Sequence, residues 1–355
     1  LLLKDPELIE REKKRTIFVG YEAQLKGIAV KGRPELGRGG FILESGTITD
    51  PELFGAFLNH IINDLMVKDV ECFDLMYADS PAEHAAQQVA AERGSVTEQV
   101  TVLKQIFDGL GSRVRHRGLV GQVSAAAYSM EQVAQDRKSY AMGLDMGGGQ
   151  TALQALPIGK LTEMGPCVIV KDRAGQRFAG STLARMLKTE LNNNRYKVNG
   201  KDVAIQFSDA DAERVLGHGF GAVSLKDAPK ELKEWPVHLG ARTVQIDIAK
   251  PVVQVCQQII DPIVGGIDEL CAETQKYYGG DVFGQHELTQ MLSMFYLYGQ
   301  NSNIQGLSDE LSKRLAERGV ECKIVNIKDK RFGAAEGSRK LAEFFTTNKL
   351  WKEKS

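Results

Sequence analysis

Several common features are missing from this sequence, and each absence removes a class of protein. No apolar run reaches the roughly 18 residues that a membrane-spanning helix needs, so we expect no membrane insertion. Lys plus Arg number 45 and Asp plus Glu 46, and this balance gives no electrostatic reason to expect a nucleic-acid partner. The five cysteines include no C-x-x-C pair, which predicts reduced thiols in the cytoplasm and argues against a zinc site.

Familiar catalytic and cofactor signatures are missing as well. The six histidines have no spacing typical of metal ligands. The sequence also has no Walker lysine, no dinucleotide-binding G-x-G-x-x-G after a first strand, and no Ser-His-Asp order. What remains is an ordinary globular composition, 43% apolar and 26% charged, in a chain of 355 residues. That length exceeds the size at which one core keeps growing and predicts two lobes.

The most informative segment is LDMGGGQT, residues 144–151. A short apolar run precedes it and an alternating apolar run follows it, which predicts a β-hairpin. Its glycines let backbone N–H groups approach an anion, Thr151 adds a hydroxyl, and Asp145 can hold a hydrated Mg²⁺. A glycine-rich hairpin turn with a solvated Asp is the alternative interpretation of the same residues.

Strand-like and helix-like segments alternate along the chain, which predicts an α/β fold with ligand sites at the strand-to-helix turns. Asp50 and Pro51 mark the start of the first long helix as N-cap and first helical residue. Helices are predicted at 4–15 (or a frayed end), 51–65, 96–110, 124–135, 181–191, 249–275, 306–318 and 332–345. Strands are predicted at 16–20, 41–48, 118–123, 139–144, 151–157, 167–172, 243–248, 291–298 and 320–327. Residues 30–40 are predicted as a loop, and 192–242 as a polar, irregular region.

Taken together, six segments resemble the actin-like ATPases over residues 16–345, and among bacterial actins the magnetosome-organising type. Residues 17–50 resemble the exit from the small upper subdomain, and LVGQVSAAAYSM (119–130) resembles the segment that carries the water-orienting side chain. LDMGGGQTALQALPIGK (144–160) resembles the second phosphate hairpin. FAGSTLARML (178–187) resembles the helix-opening AG-x-x-L element, AERVL (212–216) the helix that contacts adenosine, and YGQNSNIQGLSDEL (298–311) the adenine-side turn.

The resemblance implies a two-lobed actin-like (ribonuclease H-like) α/β fold. Each lobe would be a mixed five-stranded sheet flanked by helices, with smaller inserted subdomains. The implied division is residues 1–40 as a remnant of the small upper subdomain, 41–140 plus 328–355 as the first large lobe, 141–191 plus 243–327 as the second large lobe, and 192–242 as the second small subdomain.

The resemblance also implies the site and its chemistry. The cofactors are ATP or ADP and Mg²⁺, and the reaction is slow attack of water on the γ-phosphate. Gln122 would orient the water, and Asp145 would be the catalytic and metal-side acid. The implied nucleotide-binding residues are Gly147, Gly148, Gly149, Gln150, Thr151, Gly180, Glu213, Gly299, Gln300, Ser302 and Ile304. Among these, Glu213 would contact the ribose.

The implied role is that of a cytoplasmic, cytoskeletal filament whose turnover is regulated by ATP hydrolysis. The main partner would be the chain itself, in a homopolymer that repeats an unlike-face contact. An adaptor or organelle-associated protein is a further expected partner, with magnetosome positioning, plasmid segregation and cell-shape maintenance all open.

Three departures from the family pattern keep an alternative open. The family's earlier phosphate hairpin is not found before Phe18, so the chain begins late or half of the clamp is absent. The adenine-side turn has one glycine where two or three are usual, and Leu216 stands where a Lys is expected. These departures favour a non-hydrolysing scaffold homologue with a degenerate nucleotide site. A sugar kinase or chaperone of the same superfamily is the third hypothesis, without a substrate base or a peptide-binding domain to support it.

Overall fold

The computed structural model of the chain describes residues 2–3, 37–38, 43–44, 47–62, 72–92, 97–110, 114–131, 139–160, 163–240, 242–329 and 332–351. Four short strands come first: β1 (Leu2–Leu3) pairs antiparallel with β2 (Gly37–Arg38), and β3 (Leu43–Glu44) with β4 (Thr47–Ile48). The β3–β4 pair confirms the strand and turn predicted at 41–48. The helix predicted at 4–15 and the strand at 16–20 lie outside the described residues, as does most of the loop at 30–40.

The described elements between residues 51 and 130 alternate between helix and strand. They are α1 (Pro51–His60), β5 (Phe73–Asp79), α2 (Pro81–Glu92), α3 (Glu98–Gly109), β6 (Val114–Gly121) and α4 (Gln122–Met130). Strands β5 and β6 are parallel. As predicted, Asp50 is the N-cap of α1, and its Oδ1 accepts from the Leu53 N–H at 3.0 Å. Helix α3 buries Leu103 and Phe107 against Phe54 of α1, so its apolar stripe forms the local core.

A five-stranded mixed sheet follows, with its strands in the order β15-β14-β7-β8-β9. These strands are β7 (Ser139–Met146), β8 (Thr151–Ile158), β9 (Cys167–Ile169), β14 (Met294–Tyr298) and β15 (Lys323–Asn326). Strands β15, β14 and β7 run parallel, whereas β8 and β9 continue from β7 as antiparallel neighbours. The predicted hairpin around residues 147–150 is therefore the β7–β8 connection, and every residue of β8 is buried.

The remaining α-helices and strands include two short hairpins. They are α5 (Gly180–Asn193), β10 (Arg195–Val198), β11 (Lys201–Ala204), α6 (Asp209–Gly217), β12 (Trp235–Leu239), β13 (Arg242–Ile246), α7 (Ala249–Gln257), α8 (Ile260–Tyr278), α9 (Gln285–Ser293), α10 (Leu307–Ala316) and α11 (Gly333–Thr347). The prediction that 192–242 is irregular was wrong. Buried Tyr196 and Trp235 anchor two hairpins there, and a capping box between Ser208 and Asp211 starts α6.

The predicted boundaries of two elements were also wrong. The single helix predicted at 249–275 is divided into α7 and α8. Pro262 sits in the first turn of α8, where its missing N–H leaves no hydrogen bond unmade and where it favours a new helix start. The strand predicted at 291–298 begins only at Met294, because Met291–Ser293 form the last turn of α9.

Helix α4 contacts strands of both the β5–β6 pair and the five-stranded sheet. It packs most extensively against α11 and also touches β7 and β8 of the second sheet. The two helices approach so closely that a Cβ on Gly337 would lie 1.6 Å from the Ala125 carbonyl oxygen. Within the described part of the chain, no helix is long and apolar enough to cross a bilayer.

Candidate functional site

The glycine turn connects β7 to β8 within the five-stranded sheet, at the end where β7 finishes and β8 begins. The Gly147 N–H donates to the Gln150 carbonyl at 2.9 Å, which makes the turn tight. The turn itself is covered from one side by the start of α5. There the Gly180 N–H donates to the Gly147 carbonyl at 3.0 Å, and the Ser181 N–H to the Gly148 carbonyl at 2.9 Å. These first N–H groups of α5 therefore hold the turn in place.

The chain after β14 packs on the same turn. It forms a 3₁₀ turn (Gln300–Asn303), and Asn301 Nδ2 donates to the carbonyls of Met146 (3.3 Å) and Gly147 (3.2 Å). A Cβ on Gly180 would lie 2.1 Å from Asn301 Nδ2, so the three segments touch at Gly180. The predicted phosphate turn, helix-opening element and adenine-side turn thus meet at one place.

Asp145, the predicted metal-side acid, lies under this junction. Only 3% of it is exposed, and Oδ1 is directed at Gly299, where a Cβ would come within 2.6 Å. Gly299 has φ 87° and ψ 153°, a conformation that L side chains rarely adopt. Burial raises the pKa of Asp145 to about 7. Within the described residues no hydrogen bond or cation reaches this carboxylate, so its charge is uncompensated there.

Gln122, the predicted water-orienting residue, is the first residue of α4 and is half-buried. Its side chain lies beside the hydroxyl of Tyr298, the last residue of β14, which directly precedes Gly299. Burial and the nearby Asp145 raise the pKa of Tyr298, whereas the Gln122 side chain lowers it. A cavity of about 880 Å³ is lined by residues of β5 and α11 and by Gln122 and Tyr298.

Two polar side chains of the turn are buried. Gln150 is buried, and no described group makes a hydrogen bond to its Oε1. Thr151 is buried as well, and its backbone joins β8 to Phe178 and Val170. A buried amide oxygen without a partner costs free energy unless a ligand or water satisfies it. Gln150 is therefore a candidate contact for a bound molecule.

The residues predicted on the adenosine side divide into ligand-accessible and structural ones. Glu213 is exposed on α6 and free to face a ligand. Gln300 Nε2 donates to the Gly217 carbonyl at 2.9 Å and ties the 3₁₀ turn to the end of α6. The Ser302 hydroxyl donates to the Gly299 carbonyl at 2.7 Å and closes the turn, and Ile304 is buried. Ser302 and Ile304 therefore shape the turn.

Several contacts at the site could not be predicted from the sequence. Asn301 lies 155 positions from Met146, and His84 lies 70 positions from Gln154, so only the fold brings each pair together. In the described part of the chain, no group of three or more His, Cys, Asp or Glu side chains is arranged to hold a metal ion. Any cation here would be bound by one carboxylate together with ligand and water oxygens.

Comparison with known proteins identifies the fold. No protein-family model and no curated protein sequence matches the chain. Among solved structures, the chain is similar to a MamK double helical filament, with a TM-score of 0.64 and 17% identity over 96% of this chain and 90% of that chain. A non-polymerising MamK mutant bound to AMPPNP gives a TM-score of 0.65 at the same identity and coverage. MreB5 of Spiroplasma citri bound to AMPPNP gives 0.61 at 15% identity, over 96% of this chain and 88% of that chain.

These similarities confirm the predicted resemblance at the level of the fold. The chain has the two-lobed α/β architecture of the bacterial actin-like proteins.

Proposed function

With the actin-like fold as the premise, we propose that this protein binds an adenine nucleotide with Mg²⁺ and assembles into cytoskeletal filaments of identical subunits. Slow hydrolysis of ATP would regulate the turnover of these filaments in the cytoplasm. The solved structures similar to this chain include a filament and proteins bound to AMPPNP or ADP, which supports both parts of the proposal.

One observation carries the proposal. The glycine turn, the start of α5 and the turn after β14 converge above a buried carboxylate for which the described residues supply no counter-charge. An isolated buried carboxylate is costly, and a cation or a proton relieves that cost. A polyphosphate with its cation would fit such a junction, because the glycines leave the backbone open to close approach.

The residues present suit Mg²⁺, which prefers oxygen ligands and keeps several waters. Asp145 would hold the hydrated ion on its carboxylate, and the ion would neutralise charge on the phosphates. Gln122, which lies beside the Tyr298 hydroxyl, would orient the attacking water through its amide. Because an amide is a feeble base, catalysis would come from positioning, and turnover would be slow.

On the adenosine side, we propose that Glu213 contacts the ribose and that the 299–304 turn borders the adenine. We also propose the four-part division given by the sequence, with residues 192–242 as the second small subdomain. Two hairpins and α6 in that region form a unit of their own, joined to the site through Gln300 and Gly217. An adaptor would link the filament to its cargo, an organelle such as the magnetosome or a plasmid.

A second candidate is an actin-homologue scaffold that assembles without hydrolysis. Leu216 favours this candidate. The family pattern has a Lys at this position to bind the nucleotide, whereas Leu216 is buried in the core of the second lobe. No cation is available from that position, which weakens the electrostatic hold on the nucleotide.

Electron microscopy combined with phosphate release separates the two candidates. Filaments that require Mg·ATP and a protein that releases phosphate would support the ATPase. Filaments that form equally with ATP, ADP or no nucleotide, with no phosphate released, would support the scaffold. Both are wrong if the protein stays monomeric and calorimetry detects no heat with Mg·ATP.

A further inference from the structure

A pair of buried polar side chains lies directly behind Gln122 and connects the two lobes. His84 is in the first turns of α2, in the first lobe, and Gln154 is in β8, in the second sheet. Both are about 1% exposed. His84 Nδ1 lies 3.4 Å from Gln154 Nε2, and the His84 ring is also hydrogen-bonded to the Gly165 carbonyl.

The hydrogen bonds of His84 determine which ring nitrogen carries the proton. Burial lowers the pKa of His84 to about 4, so the imidazole is neutral near pH 7 and has one donor and one acceptor nitrogen. Because a carbonyl can only accept, the ring donates to Gly165. Nδ1 then accepts from the Gln154 amide, which assigns the ring proton to Nε2.

Gly121 transmits this contact to the site. It is the last residue of β6 and the N-cap of α4, so Gln122 follows it immediately. A Cβ on Gly121 would lie 2.9 Å from His84 Nδ1 and 3.1 Å from Gln154 Nε2. The backbone just before Gln122 is therefore packed closely against both side chains.

We propose that His84 and Gln154 are positioning residues for Gln122, and that they fix its backbone only while the two lobes are held together. The inference rests on the proposed hydrolysis. The pair contacts the backbone just before Gln122, and the Gln122 side chain lies beside the Tyr298 hydroxyl. Neither positioning residue touches the reacting atoms. A displacement of about 1 Å at such a group lowers a rate far more than it lowers binding.

A double-mutant cycle tests this role. His84→Leu keeps the buried volume and removes both hydrogen bonds, and His84→Asn restores an acceptor near the Nδ1 position. His286→Leu is the matched control, because His286 is exposed in the first turn of α9. Affinity for Mg·AMPPNP is measured by calorimetry, and phosphate release is measured at saturating Mg·ATP.

We expect His84→Leu to slow phosphate release about tenfold while the affinity for Mg·AMPPNP changes less than about threefold. Combined with Gln122→Ala, it should cause no further loss, because both changes remove the same positioned amide. His84→Asn should recover a large part of the rate, and His286→Leu should match the parent. Should His84→Leu fail to fold, Gln154→Leu tests the same contact from the second lobe.

The possible failures are distinguishable. Additive losses in the double variant, or equal losses of rate and affinity, would overturn the positioning role and leave hydrolysis standing. A parent protein that binds Mg·AMPPNP but releases no phosphate would refute the hydrolysis, and the positioning role with it.

Discussion

Replacing Asp145 with Asn should make the protein more stable and at the same time destroy the proposed cation site. The carboxylate is buried without a counter-charge in the described structure, and burial raises its pKa to about 7 from the ordinary value of 3.8. The native state therefore keeps the Asp145 proton up to about pH 7, whereas the unfolded chain has lost it above about pH 4. Since the native state binds more protons in this window, the free energy of unfolding falls as the pH rises.

The size of the effect follows from the same two pKa values. At 1.36 kcal/mol for each pH unit, the interval from 3.8 to about 7 corresponds to an upper limit on the order of 4 kcal/mol, reached above pH 7. Asn has nearly the same shape and cannot ionise. The variant and the parent should therefore have equal stability near pH 4 and should diverge up to about pH 7.

Urea denaturation at several pH values between 5 and 8 measures this difference, and Asp281→Asn, at an exposed position, serves as the control. Saturating Mg·ATP should stabilise the parent and flatten its pH dependence, because the cation replaces the proton on Asp145. It should leave Asp145→Asn unchanged. Equal stability of parent and variant at pH 8 would show that the carboxylate is not buried without a partner. Equal stabilisation of both by Mg·ATP would remove Asp145 from the cation site.

Three further substitutions test the rest of the site. Gln122→Ala should slow phosphate release by about 10- to 100-fold with little change in the calorimetric affinity for Mg·AMPPNP, and equal loss of both would indicate a structural role. Gly299→Ala should cost about 1–3 kcal/mol from its backbone alone, and more from the contact with Asp145 Oδ1, in urea denaturation. Gly175→Ala is its control, with a similar φ of 77° in open space, and an equal cost at both positions would contradict the close packing. Asn301→Ala should destabilise the protein by about 1–2 kcal/mol and weaken Mg·AMPPNP binding, while the exposed neighbour Asn303→Ala should do neither, and unchanged affinity in both would separate the turn from the nucleotide.

The parts of the fold and of the site that the sequence predicted are those with strong local signals. Three consecutive glycines between two apolar runs indicate a tight turn, and the β7–β8 hairpin is there. Asp50 followed by Pro51 specifies a helix start within four residues, and Asp50 caps α1. In both cases the residues that define the structure are neighbours along the chain, so the local sequence pattern is enough to predict it.

The parts that were missed depend on contacts between distant residues. Asn301 bonds Met146 across 155 positions, and His84 contacts Gln154 across 70. An Asn or a His carries no periodicity that reveals a partner so far away. The hairpins of 192–242 were missed for a related reason, because two buried aromatic residues organise a segment whose composition is that of a loop.

The buried carboxylates of the described structure show why Asp145 is exceptional among them. Asp79 Oδ1 accepts from the Ser80 N–H at 3.0 Å, and Glu83 accepts from the Thr97 hydroxyl. Asp145 is as deeply buried and has no such donor in the described structure, while Gly299 packs so closely that no side chain could be introduced between them. A fold that only needed a polar residue here could satisfy it as it satisfies Asp79. An unsatisfied acid at the meeting point of three backbone turns is instead suited to a cation that arrives with a ligand, and the stability of the whole chain then depends on that ligand.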